Sequence, residues 1–187
     1  SIPETAFVDC INLTSVTIPD GVTGIGEHAF ANCSNLTSVA IPGSVKSIGQ
    51  HAFYDCTTLT NVSLGNGIKA IGNSAFYNCN SLTSITVPQS VTKIKWGAFY
   101  NCTDLAEIVF CGDAPEFDDE YTFYKVNATA YYPAGNSTWT LDAMLNCGGT
   151  LAWGTQTEQG EKELLYTDIG YCGDTQYWTL SANGMLT

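Results

Sequence analysis

Hydrophobic positions recur along residues 1–111 with a fixed step of 23 residues. Phenylalanine, alanine, cysteine, leucine and β-branched residues each keep this step, and so many columns in phase indicate an internal repeat. Units of this length cannot bury their apolar side alone, so they stack into a solenoid. The main columns are Phe7, Phe30, Phe53, Phe76 and Phe99; Cys10, Cys33, Cys56, Cys79 and Cys102; Leu13, Leu36, Leu59, Leu82 and Leu105; and Val16, Val39, Val62, Ile85 and Ile108.

Each unit reads as a strand, an extended turn and a compact segment. Val39 and Ile41 alternate with small polar residues, which is the pattern of a half-buried strand, and Pro42 ends it. The apolar residues of 45–48 favour a second extended stretch, and the spacing within 52–56 predicts one face of a short helix. We therefore predict a repeat solenoid, β-rich α/β, with a parallel strand ladder at about 4.8 Å per repeat and short helices.

Residues 41–62 carry the framework I-P-x-x-V-x-x-I-G-x-x-A-F-x-x-C-x-x-L-x-x-V. This framework resembles the BspA-type leucine-rich repeat of bacterial surface proteins, and the resemblance covers residues 1–111, with the first repeat truncated. Segments of 110–153 are similar to the C-terminal cap of such arrays, which implies a degenerate last repeat and cap over 112–154.

The remaining residues divide into two shorter regions. Residues 155–170 are rich in Thr, Gln, Glu and Gly, and we interpret them as an acidic linker. Residues 171–187 resemble the start of a further module. The chain begins inside a repeat and ends where a strand should continue, so we expect it to be a piece of a longer protein.

Composition excludes two classes of partner. The chain has six Lys, no Arg and 18 acidic residues, for a net charge of −12. Such a negative chain repels the phosphate backbone of nucleic acids, and without Arg it cannot make bidentate hydrogen bonds to phosphates or bases. We therefore exclude nucleic-acid binding. No apolar run approaches the ~18 residues of a membrane span.

The cysteine column has two interpretations: the thiols form disulfides or bind metal from coil to coil, or they are buried and unreacted in the core. Adjacent parallel coils hold Cβ atoms about 4.8 Å apart, whereas a disulfide needs about 3.8 Å, so we predict buried thiols. Cys111 and Cys147 stand outside the column. A disulfide between them would join the cap to the array, with free thiols as the alternative, and Cys172 stays unassigned.

Other candidate chemistry is weak. His28 and His51 share a position in adjacent repeats and could begin a zinc site. The same position holds Ser74 and Gly97 further on, so no third ligand is in view and we interpret both imidazoles as surface side chains.

The acidic run Asp113, Glu116, Asp118, Asp119 and Glu120 lacks the ligand spacing of an EF-hand, so we interpret it as a solvated loop rather than a calcium site.

Catalytic motifs are also missing: the sequence has no phosphate-binding loop, no GxSxG motif and no HExxH motif. The acidic residues leave a glycosidase-type carboxylate pair open, but no spacing points to one. We expect no catalytic residue, no cofactor and no metal.

Two outward surfaces remain as candidate binding sites. The first is the strand face, which we define as Ser38, Asn61, Ser63, Ser84, Thr86 and Glu107. The second is an aromatic row of Tyr54, Tyr77 and Tyr100, with Trp96 nearby, which could stack sugars or anchor a protein. The alternative for the tyrosines is that each ring covers the next coil.

The resemblance implies a non-catalytic protein-binding or adhesion module at a bacterial cell surface or in the extracellular space, facing a host or bacterial protein ligand. A carbohydrate-binding or scaffold module of a larger polysaccharide-handling protein is the alternative. An enzyme is the third and weakest hypothesis.

Overall fold

The structure is a computed structural model that describes residues 1–145, 147–171 and 177–181, with side chains as far as residue 165. From β1 to β10 the strands follow the repeat, with one longer and one shorter strand per coil. The longer strands are β1 (Ser15–Thr17), β3 (Ser38–Ile41), β5 (Asn61–Leu64), β7 (Ser84–Val87), β9 (Glu107–Phe110), β11 (Asn127–Pro133), β12 (Thr150–Gln156), β13 (Lys162–Tyr171) and β14 (Tyr177–Ser181). The shorter strands are β2 (Gly24–Ile25), β4 (Ser47–Ile48), β6 (Ala70–Ile71), β8 (Lys93–Ile94) and β10 (Glu116–Phe117).

The strands β1 to β12 stack in parallel, and those of the repeats keep the register of the repeat. Val39 pairs with Val62, and Ile85 pairs with Ile108, each exactly one unit apart. The longer strands form two sheets, β1-β3-β5 and β7-β9-β11-β12-β13-β14, and the shorter strands form a third, β2-β4-β6-β8-β10. The predicted solenoid with its parallel ladder is confirmed.

The predicted short helices of the repeats are wrong. Residues 51–55 form turns in which His51 and Asp55 have left-handed φ angles of 52° and 55°. The N–H of Phe53 donates to Ala75 O of the next coil at 2.8 Å, not to a carbonyl four residues earlier as in a helix. Stacking between coils therefore replaces local helix formation, and among the described residues only Leu141–Leu145 forms an α-helix, α1.

Identical side chains stack through the centre of the molecule. Successive rings of the phenylalanine column lie 5.1–5.3 Å apart, and Phe123 continues the column beyond Phe99. Phe30, Phe53 and Phe76 are fully buried, whereas Phe7 is 40% exposed. The inward columns of the sequence therefore form one continuous core.

Aromatic side chains cover the core beyond the last phenylalanine of the column. Phe110, Trp139 and Trp153 pack together, with ring centroids 4.6–6.2 Å apart. The Trp139 indole N–H donates to Gly112 O at 3.0 Å. These contacts tie the segment after residue 112 to the coil that precedes it.

The stretch expected to be an acidic linker, 155–170, instead holds the end of β12 and most of β13. These strands pair antiparallel, Gln156 opposite Lys162, and they extend the sheet of the longer strands. The backbone amides of this stretch thus find partners in the sheet. Cys172 and most of the predicted further module lie outside the described residues.

Candidate functional site

The strand face is a register-aligned surface. Ser38 lies beside Asn61, and Ser84 beside Glu107, in one row; Ser63 and Thr86 follow the next row. Asn61, Ser63, Ser84 and Thr86 are exposed, and Ser38 and Glu107 are half-buried. The structure therefore brings all six predicted residues to the outer side of the longer strands, because side chains alternate across a strand.

One end of the strand face carries charge. Lys162 of β13 forms an ion pair with Glu107, Nζ to Oε2 at 2.7 Å, and its Nζ lies 4.9 Å from the centre of the Tyr131 ring. Glu107 is therefore already paired, which leaves the hydroxyl and amide groups of β3, β5 and β7 as the open part of this face. The sequence did not indicate this contact because Lys162 lies in the stretch interpreted as a linker.

The tyrosines of the aromatic row stack on one another. The ring centroids of Tyr54 and Tyr77 are 5.0 Å apart, those of Tyr77 and Tyr100 are 4.7 Å apart, and the planes are within 13° of parallel. Each ring covers the face of its neighbour, so the inner rings present edges and hydroxyls to solvent. Sugars stack on ring faces, and Tyr77 has no free face to offer.

More exposed aromatic side chains are found at the end of this row. Trp96, Tyr121 and Tyr124 are 42%, 38% and 41% exposed. Tyr121 and Tyr124 also line a cleft of about 670 Å³ that Glu120 and Asn127 border. From the sequence, Trp96 lies near the row and Tyr124 roughly continues it, whereas Tyr121 is not indicated, because residues 121–124 follow a spacing one residue longer than the repeat.

The column cysteines are buried thiols, as predicted. Cys33, Cys56, Cys79 and Cys102 are free and fully buried, and each Sγ donates to the carbonyl of a phenylalanine in the preceding coil at 3.1–3.3 Å. Burial, with smaller contributions from the Cys33 thiol and the Asp55 carboxylate, raises the pKa of Cys56 to about 12. Cys10 is the exposed member of the column.

Cys111 and Cys147 are both free thiols, so the structure does not contain the disulfide that was considered between them. Cys111 follows β9 and is exposed, whereas Cys147 is buried and its Sγ donates to Met144 O at 3.0 Å. The Cys147 carbonyl accepts a hydrogen bond from the Phe123 N–H, among the bonds that join the turns of successive coils. Cys147 therefore lies on a different side of the coil from Cys111, which directly follows a longer strand.

The two histidines have a third potential metal ligand that the sequence reading missed. His28 and His51 stack with ring centroids 4.6 Å apart, and Glu27 Oε1 lies 3.5 Å from His28 Nδ1. Burial and, to a smaller extent, the His28 imidazole lower the pKa of His51. This third ligand lies outside the repeat column of the histidines, since it is Glu27, the residue immediately before His28.

The acidic run is divided among separate partners. Lys93 Nζ lies 2.9 Å from both Glu116 and Asp118. Asp113 accepts a hydrogen bond from Asn136, and Asp119 accepts one from the Tyr121 backbone N–H. The carboxylates therefore do not converge on a common point.

Comparison with family models matches this sequence to the BspA type leucine rich repeat region, in 6 copies over residues 1–129. The match extends past residue 111 into the segment predicted to hold a degenerate last repeat. The sequence matches none of the curated proteins with which it was compared.

Solved structures of bacterial leucine-rich repeat proteins are similar to this chain. A leucine rich cell surface protein from Faecalibacterium prausnitzii A2-165 has 31% identity and a TM-score of 0.62, over 73% of this chain and 36% of that chain. The T. pallidum leucine rich repeat protein TpLRR has 24% identity and a TM-score of 0.59, over 77% of this chain and 72% of that chain. A leucine-rich repeat protein from Bacteroides ovatus ATCC 8483 has 24% identity and a TM-score of 0.61, over 83% and 42%.

The chain thus spans less than half the length of two of these three proteins. Within the part of the chain that the structure describes, no helix combines the length and apolar character of a membrane span.

Proposed function

Because this chain belongs to the BspA-type leucine-rich repeat family, we propose that it is a non-catalytic module that binds an extended protein ligand on a host or bacterial surface. Its place would be the bacterial cell surface or the extracellular space. The similarity to a cell surface protein of F. prausnitzii supports this location.

The observation that carries the proposal is the strand face. Its scaffold is constant from coil to coil, since Val39, Val62 and Ile85 occupy equivalent inward positions. Its outward residues differ, as Ser38, Asn61 and Ser84 do along one row. A solenoid separates stability from recognition in this way, because substitutions on the outer row leave the core unchanged.

The small polar side chains of this face suit an extended ligand. Serine, threonine and asparagine offer donors and acceptors at regular intervals, and the short side chains lose little rotamer entropy on binding. The open portion is uncharged, since the Glu107 carboxylate is paired with Lys162. We therefore expect a ligand that binds through hydrogen bonds and shape rather than through charge.

A pair of substitutions tests the strand face. Asn61→Arg with Ser84→Arg should place two long charged side chains across the open rows and abolish ligand capture. Both residues are exposed, so the free energy of unfolding should change by no more than about 0.5 kcal/mol. The measurement is capture of proteins from host and bacterial surface extracts, then a Kd by surface plasmon resonance for each ligand identified by mass spectrometry.

The matched control is Thr23→Arg with Ser47→Arg, which adds the same charge at exposed positions by β2 and β4, on the other side of each coil. This control should bind as the unsubstituted chain does. Equal binding by both double variants would show that the strand face is the wrong surface.

Carbohydrate binding is the second candidate, and the exposed side chains of Tyr121 and Tyr124 in their cleft, with Trp96 next to Tyr121, favour it. Aromatic faces with polar groups at their border are suited to sugar rings, which present apolar C–H faces and hydroxyl edges. Glycan-array binding that Trp96→Ala and Tyr121→Ala remove, while Tyr77→Ala does not, would support it. Tyr77 is the matched control because its ring faces are covered.

A further inference from the structure

Three metal-ligating side chains lie together on the turn side of the second and third coils, at the start of the aromatic row, where the His51 ring lies 5.2 Å from that of Tyr54. Glu27, His28 and His51 each place one ligand atom within 4.8 Å of the others. Glu27 is exposed and the two histidines are half-buried, so an ion can reach them from solvent. Within the described residues, no other three His, Cys, Asp or Glu side chains meet this spacing.

Backbone conformation and hydrogen bonds hold the two histidine residues in place. His28 and His51 have left-handed φ angles of 54° and 52°. Their N–H groups donate to Gln50 O and Asn73 O of the next coil at 2.9 and 2.8 Å, so both positions are held in the coil stack. The same position is Thr5, Ser74 and Gly97 in other coils, which indicates that the turn itself does not need an imidazole.

One nitrogen atom of this group lacks a hydrogen-bond partner. His51 Nδ1 is buried and has no hydrogen-bond partner, which is rare for a buried side-chain nitrogen. Tetrahedral bonds of about 2.05 Å to a metal place ligand atoms about 3.3 Å apart. The ligand atoms now lie within 4.8 Å of one another, so metal binding requires the side chains to rotate and close these separations by up to about 1.5 Å.

We propose that Glu27, His28 and His51 bind a divalent transition-metal ion of the zinc type, with water completing the coordination. Two imidazoles and one carboxylate form a donor set typical of zinc, and imidazole nitrogens disfavour Ca²⁺ and Mg²⁺. The net charge of −12 attracts cations to the molecule as a whole. Since His28 and His51 belong to successive coils, the ion links one coil to the next.

The test is titration of the reduced, tag-free chain with Zn²⁺ and with Co²⁺. We expect one ion per chain, the visible absorption of tetrahedral Co²⁺ and a higher Tm with Zn²⁺. The variants Glu27→Gln, His28→Thr and His51→Ser install the residues that other coils carry at these positions, Gln50, Thr5 and Ser74, so each should fold. Each histidine variant should bind at least about tenfold more weakly and lose the Zn²⁺-dependent rise in Tm.

Exposed thiols are the competing ligands, so Cys10→Ser with Cys111→Ser is the matched control. This control should keep full binding. The proposal is overturned by no binding at millimolar Zn²⁺, by binding that survives His28→Thr with His51→Ser, or by a thiolate-to-Co²⁺ charge-transfer band that the cysteine control removes.

Discussion

One residue position in each coil shows how a side chain directs the path of the backbone. It is filled by Asp9, Asn32, Asp55, Asn78 and Asn101, whose φ angles are all between 55° and 61°. Asn and Asp adopt this left-handed region more readily than other residues because their short polar side chains bond locally. Asn32, Asn78 and Asn101 also donate to the equivalent side chain of the preceding coil at 2.6–2.8 Å.

The cysteine column gives a prediction at the residue scale. With iodoacetamide at about pH 9.5, an exposed thiol reacts quickly while a buried neutral thiol does not. Cys10 should therefore be alkylated in the native chain, and Cys56, one of the fully buried thiols, should be protected. Peptide mapping by mass spectrometry measures both. Denaturant without reductant should expose Cys56 to full labelling; incomplete labelling there would indicate a disulfide and contradict the assignment.

The same burial makes stability depend on alkaline pH. The pKa of Cys56 rises from 9.0 to about 12 on folding, so above pH 9 the unfolded chain holds fewer protons than the folded chain. This contribution to the free energy of unfolding is complete below pH 9 and is lost as the pH rises through about 12. Urea denaturation at increasing pH should show that decline, and Cys56→Ala should reduce it.

At the scale of single elements, close contacts between coils depend on missing side chains. Gly26, Gly49 and Gly72 occupy one column at the end of the shorter strands. A Cβ atom at Gly49 would lie 2.6 Å from Gly26 C and 2.8 Å from Glu27 N, inside the distance of any normal contact. The shorter strands can therefore approach each other only because this position lacks a side chain.

Gly49→Ala should push two coils apart and lower the free energy of unfolding by about 1–3 kcal/mol. Gly43→Ala is the matched control, since its new Cβ would have its nearest neighbour, Asn66 N, at 3.8 Å. The control should stay within about 0.5 kcal/mol of the unsubstituted chain. Urea denaturation of the three proteins measures the difference, and equal losses in both variants would refute the close-contact explanation.

At the scale of the whole molecule, each coil is stabilised mainly by the coils above and below it. The first coil has such a neighbour on one side within this chain, and Phe7 is 40% exposed where Phe53 is fully buried. Stability in a solenoid is approximately a sum of unit and interface contributions, so it should fall toward this coil.

Hydrogen exchange can measure this gradient with a matched pair of amides. The N–H of Phe7 donates to Ala29 O and that of Phe53 donates to Ala75 O, both at 2.8 Å. We expect the Phe7 amide to exchange at least about tenfold faster, because local opening of an outer coil exposes less surface than opening of an inner coil. Equal protection of the two amides would contradict a stability gradient.

The sequence by itself determined the repeat, its phase and the side of each strand that faces the core. A step of 23 residues in several columns leaves one register for stacked coils, and a period of two assigns each strand residue to a face. Hence Val39, Phe53 and Cys56 could be placed in the core, and Asn61 and Ser84 on the surface, before any coordinates.

Only the tertiary structure decided how neighbouring coils modify one another. The segment 52–56 has the apolar spacing of a helix, yet inter-coil hydrogen bonds hold it as a turn. The fold also covers the faces of the Tyr77 ring with neighbouring tyrosines and brings Lys162 into an ion pair with Glu107. It brings His51 beside the pair Glu27 and His28, one coil away. These contacts join residues distant along the chain, and their geometry depends on left-handed turns and strand pairings that local sequence patterns do not specify.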